Sequence, residues 1–142
     1  VTPTDTPGIL TRRIEVPASA IDTNGHVNNV VFVQWMQDVA IQHANDSGAT
    51  AAARADGATW FARSHHIEYL RPAYAGEVIE AATCIINAKR ATSTRRYRFT
   101  RISDGVVLAQ GETEWVYVCA ETGRPRSIPE SVRACFPLVD LG

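Results

Sequence analysis

At 142 residues the chain is the size of one globular domain, and 45% hydrophobic against 20% charged residues places it with proteins that bury a sizeable core rather than with disordered or fibrous chains. A net charge of -1 gives no reason to expect a nucleic-acid or membrane surface, so neither is expected as a partner. Cys84, Cys119 and Cys135 are an odd number, widely spaced and without a metal-ligand pattern, which predicts free thiols in a reducing, cytoplasmic setting. Neither a secretory leader nor an apolar run of transmembrane length is expected from these residues.

In chain order, Val1 to Leu10 mixes Thr, Pro, Asp and Gly and predicts an N-terminal arm with little structure of its own. Thr11 to Val16 reads as a first strand, stopped by Pro17. Ala20 to Ser47 then joins a polar loop directly to an apolar helix. Within eight positions of that loop stand Asp22, Asn24, Gly25, His26, Asn28 and Asn29, more polar groups than a turn needs. Residues 30 to 44 lack breakers and predict a helix, with Asn28 or Asn29 as its N-cap and Gly48 as the left-handed residue that ends it. At 100° per residue Phe32, Trp35, Met36, Val39, Ala40 and His43 form one broad face, opposite Gln34, Gln37, Asp38, Gln42 and Asn45. Val30, Val31 and Ile41 fall in or beside the polar sector. A helix apolar nearly all round is normally enclosed; a curved sheet can wrap it, and a partner subunit can cover what the sheet leaves open.

Ala49 to Asp56 predicts a short second helix, and from Thr59 onward the period changes to two. Strands are expected over Thr59 to Leu70, Glu77 to Ala88, Thr92 to Ile102 and Val106 to Cys119, the last two joined by a Ser103-Asp104-Gly105 hairpin. Glu121 to Pro129 is loop, and Pro129 to Cys135 a last short helix. One strand, one long helix and four mostly antiparallel strands make an α+β layer, a single domain with no internal repeat or linker.

DTNGHVNN ahead of a helix that contains Trp35, then ARSHHIEYLRPAYAGE, and finally TGRPRSIP after the last strand, resemble the hotdog-fold acyl thioesterases over about Arg12 to Pro129. The likeness is to the branch of the acyl-ACP thioesterases and the 4-hydroxybenzoyl-CoA thioesterase-like enzymes. It implies one central helix wrapped by a curved, mostly antiparallel five-stranded sheet. It also implies a homodimer, or a tetramer built from two dimers, with active sites at the subunit interface. The chain departs from relatives at Val31 and Phe32, near where they often carry a tyrosine after the Asn pair.

Thioester hydrolysis needs a carboxylate that attacks the carbonyl or activates water, and donors where oxyanion charge develops. Asp22 is the only acid in the loop, and the first amides of the helix, from Val27 to Val30 and above all Asn28 and Asn29, stand at a positive dipole end. By resemblance Asp22 is the nucleophile or general base, and Asn24 and His26 orient it, the water or the thioester oxygen. No metal or organic cofactor is required; coenzyme A or carrier-protein pantetheine enters as part of the substrate. The purely structural reading of the same loop makes Asp22 and Asn24 turn formers, Gly25 a positive-φ residue and Asn28 a cap.

Substrate contacts are expected from Trp35, from His66 and Glu68 on one side of their strand, and from Arg95 and Arg96 within the basic run Lys89, Arg90, Arg95, Arg96, Arg98 and Arg101, whose guanidinium forks suit coenzyme A phosphates. His43 reads as a core or interface histidine, and Cys84 as buried and inert. Two other functions fit the loop. A hotdog hydratase or dehydratase also uses an Asp and a His, but its DxNPxH spacing is one residue longer than DTNGH and has Pro where Gly25 stands. A non-catalytic acyl-thioester binding module would tolerate loss of the acid that this chain retains.

Overall fold

The computed structural model describes residues 7–142, so most of the expected N-terminal arm lies outside the described residues. Leu10, expected at the end of that arm, is already paired with Thr83 and opens strand β1, Leu10–Glu15. A single 3-10 turn leads to helix α1, Asn29–Asp46, and to the short α2, Ala49–Ala55. Strands β2 (Ala58–Tyr69), β3 (Val78–Ala88), β4 (Thr92–Arg101) and β5 (Val107–Cys119) follow, and α3, Glu130–Arg133, lies near the end. This is the hotdog architecture that the loop and helix resemble. The five strands form one sheet in the order β1-β3-β4-β5-β2, antiparallel at every step.

Local sequence explains the ends of α1. Asn28 caps it, its Oδ1 accepting from the Val30 amide at 2.9 Å, and Gly48 follows at φ 87°, where any side chain would be strained. The broad apolar face packs on the sheet as expected: Phe32, Trp35, Met36, Val39 and Ala40 are all buried. Phe32 sits at the centre of an edge-to-face cluster with Trp35 at 5.1 Å and Phe99 at 5.4 Å, a geometry that adds roughly 0.5–1.5 kcal/mol per pair beyond area burial. A second apolar cluster joins α2 and α3 to the sheet through Ala49, Ala53, Ile128, Val132 and Phe136. Among the described residues no helix is long and apolar enough to cross a membrane.

The sheet carries three register shifts, in β2 against β5, in β3 against β4 and in β4 against β5, and the first bears on the site. A bulge at Arg63, between Ala62 and Ser64, shifts the register of β2 against β5. Trp60 and Ala62 share a face before it, and His65, Ile67 and Tyr69 take over that face after it. Gly111, opposite Ile67, explains how closely the two strands approach, because a Cβ there would lie 2.5 Å from the His66 carbonyl oxygen. Gly111→Ala is therefore expected to destabilise the fold by about 1–3 kcal/mol, read as a lower urea midpoint at constant slope. An unchanged midpoint would mean that β2 yields at no cost.

β2 is an edge strand, twelve residues long and exposed along most of its length. Phe61, Tyr69 and Leu70 on and beside it, and Val30 and Ile41 on α1, are large apolar residues facing solvent. Val30 and Ile41 stand eleven residues apart, about three turns, and so on one side of the helix.

Candidate active site

The loop before α1 is a miniature hairpin. Ile21 bridges Val27, the Asp22 amide donates to the His26 carbonyl at 3.0 Å, and the Gly25 amide donates to the Asp22 carbonyl at 3.0 Å. Gly25 closes the turn at φ 84°, which only glycine adopts readily. Asp22 Oδ1 accepts from the Asn24 amide at 2.8 Å, an Asx turn. The structural reading of Asp22 therefore holds for one carboxylate oxygen, while Oδ2 has no hydrogen-bond partner among the described residues. The link from Asn24 to Asp22 runs through its backbone rather than its side chain. His26 Nδ1 lies 3.5 Å from the Val27 carbonyl, a contact too long to fix the ring.

The amides at the mouth of α1 do not all stand free, and here the expectation needs correction. Val27 donates to the Ala73 carbonyl at 2.8 Å, Asn28 to the Ala20 carbonyl at 2.9 Å, Val30 to the Asn28 side chain and Val31 to the Asn28 carbonyl at 2.9 Å. Of residues 27 to 31, Asn29 alone keeps an N–H without an acceptor among the described residues. The Asn28 amide is removed from the expected oxyanion pair because the miniature hairpin uses it to hold the loop onto the helix. A free N–H at the first helical residue also sees the positive end of an 18-residue helix dipole.

From β2 the Tyr69 hydroxyl donates to the Asn29 carbonyl at 2.9 Å. It reaches there because the bulge at Arg63 turns it to the α1 side of β2, and its ring packs 5.8 Å from Phe32. Burial raises the Tyr69 phenol above its ordinary pKa, which keeps it a donor. The bond holds the residue that carries the free amide.

The expected substrate contacts divide. Trp35 is in the core, 8% exposed, between Phe32 and Phe99, so its ring is engaged in packing. His66 and Glu68 lie together on the face of the sheet away from α1, Glu68 accepting from Gln110 at 3.0 Å. His65 takes the other face, 2.7 Å from the Thr113 hydroxyl. Arg95 and Arg96 also point to opposite faces. Arg96 is bound at 2.7 Å to each of Glu112 and Asp140 on the outer side, which raises its pKa further. Arg95 is 5% exposed, beneath α1, and is no surface contact for a phosphate. Lys89 and Arg90 are the exposed members of the basic run. His43 is a satisfied histidine, as expected, with Nδ1 2.8 Å from Arg95 Nη1. All three cysteines are free, and burial raises the Cys84 thiol.

A cavity of about 390 Å³ opens at the opposite end of α1 from Asp22, between α1, α2 and the sheet. His43, Ala44, Ala53, Trp60 and Arg95 are among its walls.

The family model described as the thioesterase-like superfamily matches residues 16–136. No curated protein matches the chain at a significant level. Among solved structures the chain is similar to a 1,4-dihydroxy-2-naphthoyl-CoA thioesterase from Synechocystis, with TM-score 0.80 and 16% identity over 90% of this chain and 95% of that one. It is similar to a Staphylococcus aureus protein solved in complex with CoA, with TM-score 0.83 and 19% identity over 96% and 90%. It is also similar to an acyl-ACP thioesterase from Bacteroides thetaiotaomicron, with TM-score 0.84 and 21% identity over 93% of this chain and 54% of that one. At these identities the likeness to solved structures is one of fold.

Proposed function

Because the chain belongs to the thioesterase-like superfamily, we propose that it hydrolyses acyl-CoA or acyl-ACP thioesters, with Asp22 as nucleophile or general base and the Asn29 amide as oxyanion donor. The observation that carries this reading is that Asp22 Oδ2 and, of residues 27 to 31, the Asn29 amide alone are without partners among the described residues, on two segments tied together by the Asn28 to Ala20 bond. In the general-base form Asp22 takes a proton from water as the water oxygen bonds to the thioester carbon. The carbonyl oxygen becomes an oxyanion facing Asn29 N–H, the carbon–sulfur bond breaks, and the proton passes to the leaving thiolate. The products are a free acid and a thiol. No metal or organic cofactor takes part.

The proposed assembly is a homodimer, formed when the β2 edges of two copies pair antiparallel into a ten-stranded sheet. A long, exposed edge invites pairing, and Phe61 on that strand and Val30 and Ile41 on α1 are exposed apolar residues that a partner would cover. The test is a panel of aryl, short, medium and long acyl-CoA thioesters, with acyl-ACP substrates beside them, read by thiol release and run on a sample whose mass is measured by light scattering. Hydrolysis by a dimer or tetramer is expected. No turnover of any thioester would overturn the activity, and an active monomer would overturn the assembly.

A further inference from the structure

Arg95 and the cavity at the C-terminal end of α1 are unused by this mechanism, and together they are chemically incomplete. The guanidinium lies beneath α1 and donates from Nη1 to the Thr83 hydroxyl at 3.2 Å and to His43 Nδ1 at 2.8 Å. Both acceptors are neutral. Burial, and then the Arg95 cation itself, lower His43 to about 4, so it carries no charge at neutral pH. Among the described residues no carboxylate pairs with Arg95, whereas Arg63, Arg96, Arg101 and Arg126 all find one. A guanidinium cannot escape burial by losing its proton in the physiological range, so its charge stands uncompensated in an apolar setting.

The cavity supplies what surrounds that charge. Ala44, Ala53, Trp60, Ile85 and Phe136 form apolar walls around Arg95, and the space is of the size that holds small organic ligands. Trp115, on the same lining, turns its buried indole N–H towards the Tyr97 hydroxyl, so the guanidinium is the one buried charged donor among the lining residues. An apolar body ending in an acceptor of negative charge matches this set; a plain alkyl chain leaves the guanidinium charge unanswered.

The cavity does not serve the Asp22 of its own chain. Asn29 and His43 are fourteen residues apart on one helix, about 21 Å. In the proposed dimer, two-fold antiparallel pairing of β2 about its middle reverses this relation, since it sets the Ala58 to Trp60 end of one strand against the Ile67 to Tyr69 end of the other. Trp60 lines the cavity, and Tyr69 is bonded to Asn29. The cavity of one copy is thereby brought towards the helix mouth of the second.

We infer that this cavity receives an acyl group bearing a carboxylate at the end remote from the thioester, with Arg95 as the partner of that carboxylate. The inference rests on the thioesterase reading for the word acyl, and on Arg95 and the cavity for the charge. The reaction is unchanged: water and the thioester give a dicarboxylic acid and a thiol.

Matched substrates test it, adipoyl-CoA against hexanoyl-CoA and 4-carboxybenzoyl-CoA against 4-methylbenzoyl-CoA, in the wild type and in Arg95→Met. The wild type is expected to favour the carboxylated member of each pair by tenfold or more in kcat/KM, and Arg95→Met to abolish or reverse that preference while keeping the neutral substrate. Free adipate and terephthalate are titrated in parallel against the fluorescence of Trp60 and Trp115, a readout independent of hydrolysis, and binding is expected in the wild type but not in Arg95→Met. Equal turnover within each pair, together with no binding of the acids, would overturn the inference and leave the thioesterase reading standing. Arg95-dependent binding without turnover of any thioester would remove the acyl group and leave a carboxylate site. Chloride acting in place of the acids would make the site one for inorganic anions, and that too would overturn it.

Discussion

Asp22→Asn is expected to leave the protein folded and to lower turnover by at least about a hundredfold, the range for losing a general acid or base. The substitution isolates the chemistry. Asn keeps an oxygen at Oδ1, so the bond from the Asn24 amide at 2.8 Å and the turn it closes remain. It replaces the unpartnered Oδ2 with an amide nitrogen, which cannot accept a proton from water or attack a carbonyl. The loop is also held by backbone bonds that the change does not touch, from Asp22 to His26 and from Asn28 to Ala20. Circular dichroism and the urea midpoint should match the wild type. Thiol release within tenfold of wild type would remove Asp22 from the mechanism. Where turnover falls as expected, wild-type turnover in water enriched in oxygen-18 separates the two roles of Asp22, because label enters a nucleophilic carboxylate when water opens the anhydride at the Asp22 carbonyl and never enters a general base.

Asn29→Pro is expected to cost a similar hundredfold or more, about 2.7 kcal/mol in the transition state, by deleting the free N–H of the helix mouth. The site accommodates proline. Asn29 is the first helical residue, where a missing N–H breaks no intrahelical bond, and Asn28 before it sits at φ -59° and ψ 134°, the extended geometry that a following proline requires. The Asn29 carbonyl, which receives the Tyr69 hydroxyl, is retained. Asn29→Ala is the control, since it removes the side chain and keeps the amide, and it should stay within a few fold of wild type. Binding of a non-hydrolysable thioester analogue should survive in Asn29→Pro, because an oxyanion contact strengthens mainly in the transition state. A folded proline variant that turns over normally would move the oxyanion to another donor, with the His26 side chain next in place.

The two experiments differ in what suggested them. Asp22 was legible from its position in DTNGHVNN, the only acid among crowded amides. Asn29 was legible only as one of several amides, because the groups that occupy its neighbours, the carbonyls of Ala20 and Ala73, come from before the loop and from a turn more than forty residues later. The same limit affected the substrate contacts. Alternation alone puts His66 and Glu68 on one side of β2, but the choice of side depends on the bulge at Arg63, a two-against-one mismatch with β5 that β2 cannot announce by itself. Trp35 was recognised as part of the helix's apolar face, and burial in the core follows from that face rather than from contact with a ligand.

What the sequence determined by itself is what short-range chemistry controls. The 3.6-residue pattern and the Asn28 and Gly48 ends define α1 within a residue or two, the period-two runs define the four later strands, and glycine at 25 makes the loop turn before the helix. These depend on contacts within a few residues of chain. The tertiary structure alone decided the sheet order, the parity of β2 after its bulge, which amide of the helix mouth stays free, and the burial of Arg95 beneath α1 between Thr83 and His43, residues twelve and fifty-two positions away. An arginine in a basic run of six reads as a solvated face from its neighbours. Its charge becomes an unanswered one only when strands and a helix distant in sequence close over it without bringing a carboxylate, since the cost of an unpaired cation is set by what surrounds it in space.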